Sequence, residues 1–214
     1  MWLGTSGYVT ALPDYLGLGV SELFHPYMIY EESATSIIDM LRASKTFCMT
    51  NNINLNEQLF LIGYSEGGYT TMATHKMIEE NFSNEFTITA SAPSAGPYDL
   101  SGEMANLMLS FEPYGQPYYL PFTVLAYQDK YNVVNDIGDY FTDYYAETLP
   151  PLFDGYHSAT EINNIMPSVP IEIFKPDVIE QFSTDMNHPL RIKLAENDLV
   201  DWMPIAPMKI FQSE

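Results

Sequence analysis

The sequence predicts an α/β fold built on a parallel sheet, and three observations carry that prediction. The apolar run Leu59-Phe60-Leu61-Ile62 leads into Gly63-Tyr64-Ser65-Glu66-Gly67-Gly68, and a helix-like segment follows from Tyr69 to about Asn81. Strand-like and helix-like stretches alternate up to Pro93, the order that builds parallel sheets. From about Leu100 to Leu190 the pattern breaks, and the chain becomes rich in Tyr, Phe, Met and Pro with little strand alternation.

In chain order, Gly7 to Leu12 reads as a short buried strand that ends in the glycine-rich loop Pro13 to Gly19. From Ser33, the residues Ala34, Ile37, Ile38, Leu41 and Cys48 recur at helical spacing, and Glu31 and Glu32 favour the helix's amino end. Asn51 to Asn56 is a polar turn before the strand at Leu59. Phe86 to Ala92 alternates apolar residues with Thr and Ser and reads as a third strand, ended by Pro93. Glu103 to Phe111 is one of several short helical pieces in the next region, and Pro207 to Gln212 reads as a last strand. The organisation expected is a core over residues 1–99, a mostly helical cap insertion over 100–190, and a return to the core over 191–214.

Composition narrows the function. The 214 residues are 46% apolar and 14% aromatic, enough for a packed core. A net charge of −20, from 28 acidic and 8 basic residues, argues against nucleic acid as a partner and against attraction to an anionic membrane. The single cysteine, Cys48, allows no internal disulfide and no thiolate metal cluster. No cofactor and no metal site is expected. The opening residues lack the pattern of a signal peptide and no apolar run reaches 18 residues, so a soluble chain without stable membrane insertion is expected. The compartment stays open.

The chemistry centres on Ser65. Gly63 to Gly67 fits G-x-S-x-G between a strand and a helix, the setting of a nucleophile elbow. The serine there occupies a strained backbone conformation, which requires small flanking residues. Ser65 is the candidate nucleophile, and the backbone N–H of Glu66 is the candidate oxyanion-hole donor.

With these residues in place, the chain resembles the α/β-hydrolase superfamily, especially bacterial esterases and secretory-type lipases. The resemblance rests on Pro13-Asp14-Tyr15-Leu16-Gly17-Leu18-Gly19, His25-Pro26-Tyr27, the elbow, Gly96-Pro97-Tyr98-Asp99-Leu100-Ser101-Gly102, Glu196-Asn197-Asp198-Leu199, Asp201-Trp202 and Pro204. It implies a partial α/β-hydrolase sheet with a cap shaping an acyl pocket. It also implies a cofactor-free serine hydrolase acting on small-molecule or lipid-like esters, of a type often exported. Relatives often carry Gln or Gly after the nucleophile, so Glu66 would add a charge near the oxyanion. A serine peptidase or amidase on the same scaffold, and a noncatalytic binding module, remain open alternatives.

No triad acid or histidine is assigned in this chain. His75 lies ten residues beyond Ser65, about 15 Å at the helical rise per residue, and reads as a surface helix residue. His157 and His188 read as loop histidines. Asp198 and Asp201 read as loop and cap residues, and Asp14 and Asp99 as bonding their own loops. In the family's order the acid and histidine follow the last strand. The sequence therefore reads as the middle of a longer hydrolase, with trace activity by itself and unpaired sheet edges that favour self-association.

Overall fold

The computed structural model describes residues 2–212. The chain divides into two compact units, one made of the residues up to Gly19, Tyr30–Gly96 and those from Trp202 on, the other of Val20–Ile29 and Pro97–Asp201.

The first unit holds helices α1 (Trp2–Thr5), α2 (Tyr30–Thr50) and α3 (Glu66–Asn81), with strands β1 (Phe60–Tyr64) and β2 (Ala90–Ser94). Helix α2 begins with Glu31 and Glu32 in its first turn, which suits the positive end of the helix, and buries Ala34, Ile38 and Cys48. It ends where Asn52 turns left-handed at φ 57° and Ile53 N–H donates to Cys48 O at 2.8 Å. Strands β1 and β2 pair in parallel from Phe60 opposite Ala90 to Tyr64 opposite Ser94. Helix α3 packs against α2 and both strands and buries Tyr69, Met72, Ala73, Met77 and Ile78.

Three strand expectations change. Gly7 to Leu12 is irregular and largely exposed, with Leu12 66% accessible. No strand among the described residues pairs with it, and an apolar run without a ladder partner does not make a strand. The strand expected over Phe86 to Ala92 runs instead over Ala90–Ser94, with Pro93 inside it. Pro93 is tolerated because its missing donor faces away from β1, towards residues 207–211. There the last segment is not a full strand but two parallel bridges, Ser91 to Met208 and Ser94 to Phe211. Pro93 supplies no N–H between them, so the ladder cannot close.

The second unit is helical and built from short pieces: α4 (Ala105–Met108), α5 (Tyr119–Tyr131), α6 (Asp143–Thr148), α7 (Ala159–Asn163), α8 (Pro176–Thr184) and α9 (Pro189–Glu196). The helix expected over Glu103 to Phe111 is a π-turn over Leu100–Met104 followed by α4. Proline opens α8 and α9 at their first residues, where a missing N–H costs no helical bond. Ser158 and Glu161 form a capping box at α7. Tyr27 stacks on Phe122 at 4.5 Å, and the Tyr127 hydroxyl donates to Met28 O at 2.9 Å, which ties residues 20–29 into this unit. Among the described residues no helix is long and apolar enough to cross a membrane.

His188, at the start of α9, is buried against the rings of Tyr140 and Phe182 at 5.6 and 5.4 Å. Burial pushes its pKa below the ordinary 6.5, Asp185 opposes the shift and Arg191 adds to it. The unfolded chain therefore takes up this proton more readily than the folded one. Stability from this site is fully present above pH 6.5 and declines as pH falls below it. Urea titrations on either side of pH 6.5 should show that loss in the wild type and a flatter profile in His188→Phe.

Candidate active site at the nucleophile elbow

Strand β1 delivers the chain to Ser65, and α3 carries it away. Ser65 is the helix N-cap at φ 57° and ψ −122°, and its side chain makes no capping hydrogen bond. A positive φ is strained for a residue with a Cβ, by about 1–3 kcal/mol. Three hydrogen bonds hold it: Ser65 N–H donates to Ser94 O at 2.8 Å, and Ser65 O accepts from Gly68 N–H at 2.8 Å and Tyr69 N–H at 3.1 Å. The residue is half-buried at the positive end of a 16-residue helix.

Glycine makes the turn sterically feasible at two places. A Cβ on Gly63 would lie 2.0 Å from Gly67 O, and one on Gly68 would lie 2.4 Å from Ser94 O. The second glycine of the motif differs: a Cβ on Gly67 would meet only the Tyr15 hydroxyl, at 3.7 Å. Tyr15 reaches the first turn of α3 from the loop at Pro13 to Gly19, and its hydroxyl faces Thr70. Burial and then the Glu66 carboxylate hold the phenol above its ordinary 10.0 against the opposing effect of Thr70, so it keeps its proton at neutral pH.

The histidines fall in different settings. His75 is not a surface residue: it is fully buried, with Nδ1 2.7 Å from Ser91 Oγ and Nε2 2.9 Å from Glu79 Oε1. The sequence singled out neither Glu79 nor Ser91, although Glu79's place four residues after His75 on a helix was a readable signal. His157 is exposed, with Nδ1 3.0 Å from Asp154 Oδ1. The Tyr156 N–H, followed by His157, lowers the Asp154 carboxyl to about 2. His188 is the buried ring described above.

Two of the candidate carboxylates cap a turn of the second unit. Asp99 accepts from the N–H groups of Gly102 at 2.9 Å and Glu103 at 3.2 Å. Asp198 Oδ1 accepts from Leu100 N–H at 2.7 Å and Ser101 N–H at 3.0 Å, and its Oδ2 accepts from the Ser101 hydroxyl. Asp14 folds back on Gly19, whose Cβ position lies 2.6 Å from Oδ2, and Asp201 is exposed. Among the described residues no group of three or more His, Cys, Asp or Glu side chains is arranged to hold a metal ion.

Residues 2–102 match a family model described as secretory lipase. A Legionella pneumophila protein classed as a hydrolase superposes with a TM-score of 0.89 at 31% identity, over 97% of this chain and 56% of its own. The chain has the fold of a partial α/β-hydrolase. The rice cell wall degrading esterase LipA from Xanthomonas oryzae gives 0.84 at 32% identity, over 93% of this chain and 54% of its own. Candida antarctica lipase A, at 15% identity and a TM-score of 0.61 over 87% of this chain and 42% of its own, shares the fold. No curated protein sequence matches. The chain thus spans little more than half the length of the two bacterial structures. Two segments that carried the hydrolase resemblance meet in the second unit, where Leu199 N–H donates to Tyr98 O at 2.8 Å beside the Asp198 cap.

The elbow's glycines make a paired prediction. Gly63→Ala forces a methyl into the Gly67 carbonyl and should cost at least about 3 kcal/mol or prevent folding. Gly67→Ala should be neutral or stabilise α3 by up to about 1 kcal/mol. Chemical denaturation of the two variants checks both.

Proposed function

We propose that this chain belongs to a serine hydrolase that cleaves carboxylic esters through an acyl-serine intermediate. Ser65 is the nucleophile and the Glu66 backbone N–H one oxyanion donor. The observation that carries the reading is the positive φ of Ser65 between β1 and α3, strain kept at a residue whose hydroxyl caps nothing. Ser65 Oγ attacks the ester carbonyl and loses its proton to a base. The tetrahedral oxyanion forms near the helix start, where an N–H is worth most in the transition state. The alcohol leaves, and water then releases the acid from the acyl-serine. His75 is not assigned as the base, because both its ring nitrogens are engaged in the core.

The secretory lipase match and the esterase described as degrading the rice cell wall support an ester substrate. The family description also supports an exported protein. Residues 100–190 are assigned as a cap insertion, on their aromatic and methionine content and their place in the sequence between β2 and the last parallel segment. The outward face of β1, where Phe60, Ile62 and Tyr64 are 42%, 58% and 76% exposed, supports association with further polypeptide.

In the full-length product of the reading frame, a fluorophosphonate probe should label Ser65. Ser65→Ala should abolish the labelling and lower ester turnover by at least about 10⁴-fold. Labelling that persists in Ser65→Ala overturns the assignment. Ser65-dependent cleavage of peptides with no cleavage of esters moves the substrate to the amide class.

A further inference from the structure

His75, Glu79 and Ser91 form a polar set in the first unit that the acyl chemistry does not use. With the Nε2–H of His75 donating to Glu79 and Nδ1 accepting from the Ser91 hydroxyl, one neutral tautomer satisfies the set. Glu79 reaches further along the chain: Oε2 accepts from Ile205 N–H at 2.9 Å and Oε1 from Ala206 N–H at 2.7 Å. Trp202 lies edge-on to the His75 ring at 5.4 Å. Ser91 closes the circuit through its backbone, donating its N–H to Pro207 O and accepting from Lys209 N–H, both at 3.0 Å. Residues 205–209 are therefore held at one end by a carboxylate and at the other by the main chain of the serine that holds that carboxylate's histidine.

The last parallel segment needs such a device. Pro93 interrupts the ladder between its two bridges, and an interrupted ladder fixes register weakly. A slip of two residues would keep each side chain on its own face yet move Phe211 by about 6–7 Å. The carboxyl ends of the three parallel segments lie side by side, Ser65 N–H on Ser94 O and Ala95 N–H on Phe211 O at 2.7 Å. A slip would thus be felt beside the elbow. Apolar side chains could fill the same space without burying an imidazole and partly covering a carboxylate, so packing alone does not account for the set.

We propose that Glu79, oriented by His75, is a positioning residue for the active site: it sets the register of residues 205–211 and so sets where the chain beyond Phe211 emerges beside Ser65. The proposal rests on the Ser65 reading of function.

The test compares wild type, Glu79→Ala, Glu79→Gln and Ser91→Ala in the full-length protein, by amide hydrogen exchange and by kinetics on a short p-nitrophenyl ester. Glu79→Ala should speed exchange at Lys209 and Phe211 at least about tenfold, with the α2 amides unchanged. It should lower kcat at least about tenfold while KM stays within about twofold. Glu79→Gln, whose amide oxygen still accepts one N–H, should recover part of the loss. Ser91→Ala keeps the backbone pairing and should show the same pattern more weakly, also if Glu79→Ala does not fold. Unchanged exchange at Lys209 and Phe211 overturns the register lock. Faster exchange with unchanged kcat overturns the positioning role, and so does exchange raised equally throughout α2, the mark of ordinary core loss. Turnover that survives Ser65→Ala overturns the functional reading and the positioning role with it, and the exchange pattern then decides the lock separately.

Discussion

Two contacts between main-chain atoms govern the first unit. The backbone at Gly63 lies against the Gly67 carbonyl, and the backbone at Gly68 against the Ser94 carbonyl. No side chain fits in either gap, so α3 starts as close to β1 and β2 as main chains can come. The tightness of the turn forces Ser65 to a positive φ, and its N–H then reaches Ser94 O on the neighbouring strand. Strand pairing, helix placement and serine strain are one geometric fact seen from three sides. Gly67, between these two contacts, is under no such steric demand, and the space above it goes to the Tyr15 hydroxyl.

The sequence showed the elbow because its requirements are steric and local: residues without side chains at fixed spacing, between an apolar run and a helical pattern. Helix α2 was legible for a similar reason, from its periodicity and the acids of its first turn. What failed was non-local. Gly7 to Leu12 has the apolar, β-prone residues of a buried strand, but residue type does not say whether another backbone lies alongside. Pro93 reads as a terminator, whereas its missing donor matters on one side only, and that side faces the last segment rather than β1. His75 and Glu79 at positions i and i+4 look alike in sequence whether the helix face meets solvent or the core. Ser91 and residues 205–206, which make this face a core face, lie 16 to 131 positions from His75 along the chain.

The polar residues of the second unit carry a related lesson. Asp198 is the kind of residue that invites a catalytic reading, a carboxylate in a segment that carried the hydrolase resemblance. Both its oxygens are instead committed to the turn at Leu100 and Ser101. Asp99 caps the same turn from the other direction. The carboxylates of these two aspartates are used up closing one helical turn, and proline opens α8 and α9 rather than breaking them.

Glu79 and the amide of Ala206 are 127 residues apart, and that separation orders events during synthesis. At about 5–20 residues per second, the ribosome reaches Ala206 roughly 6–25 s after Glu79. Helix α3 and the β1–β2 pair use only residues made early, so they can form while the intervening helices are still being translated. Throughout that interval the carboxylate and its histidine wait as an open receptor with one matching pair of amides still to come. The last parallel segment arrives on a surface already shaped to accept it in one alignment, which turns what would be a late search among registers into a docking step.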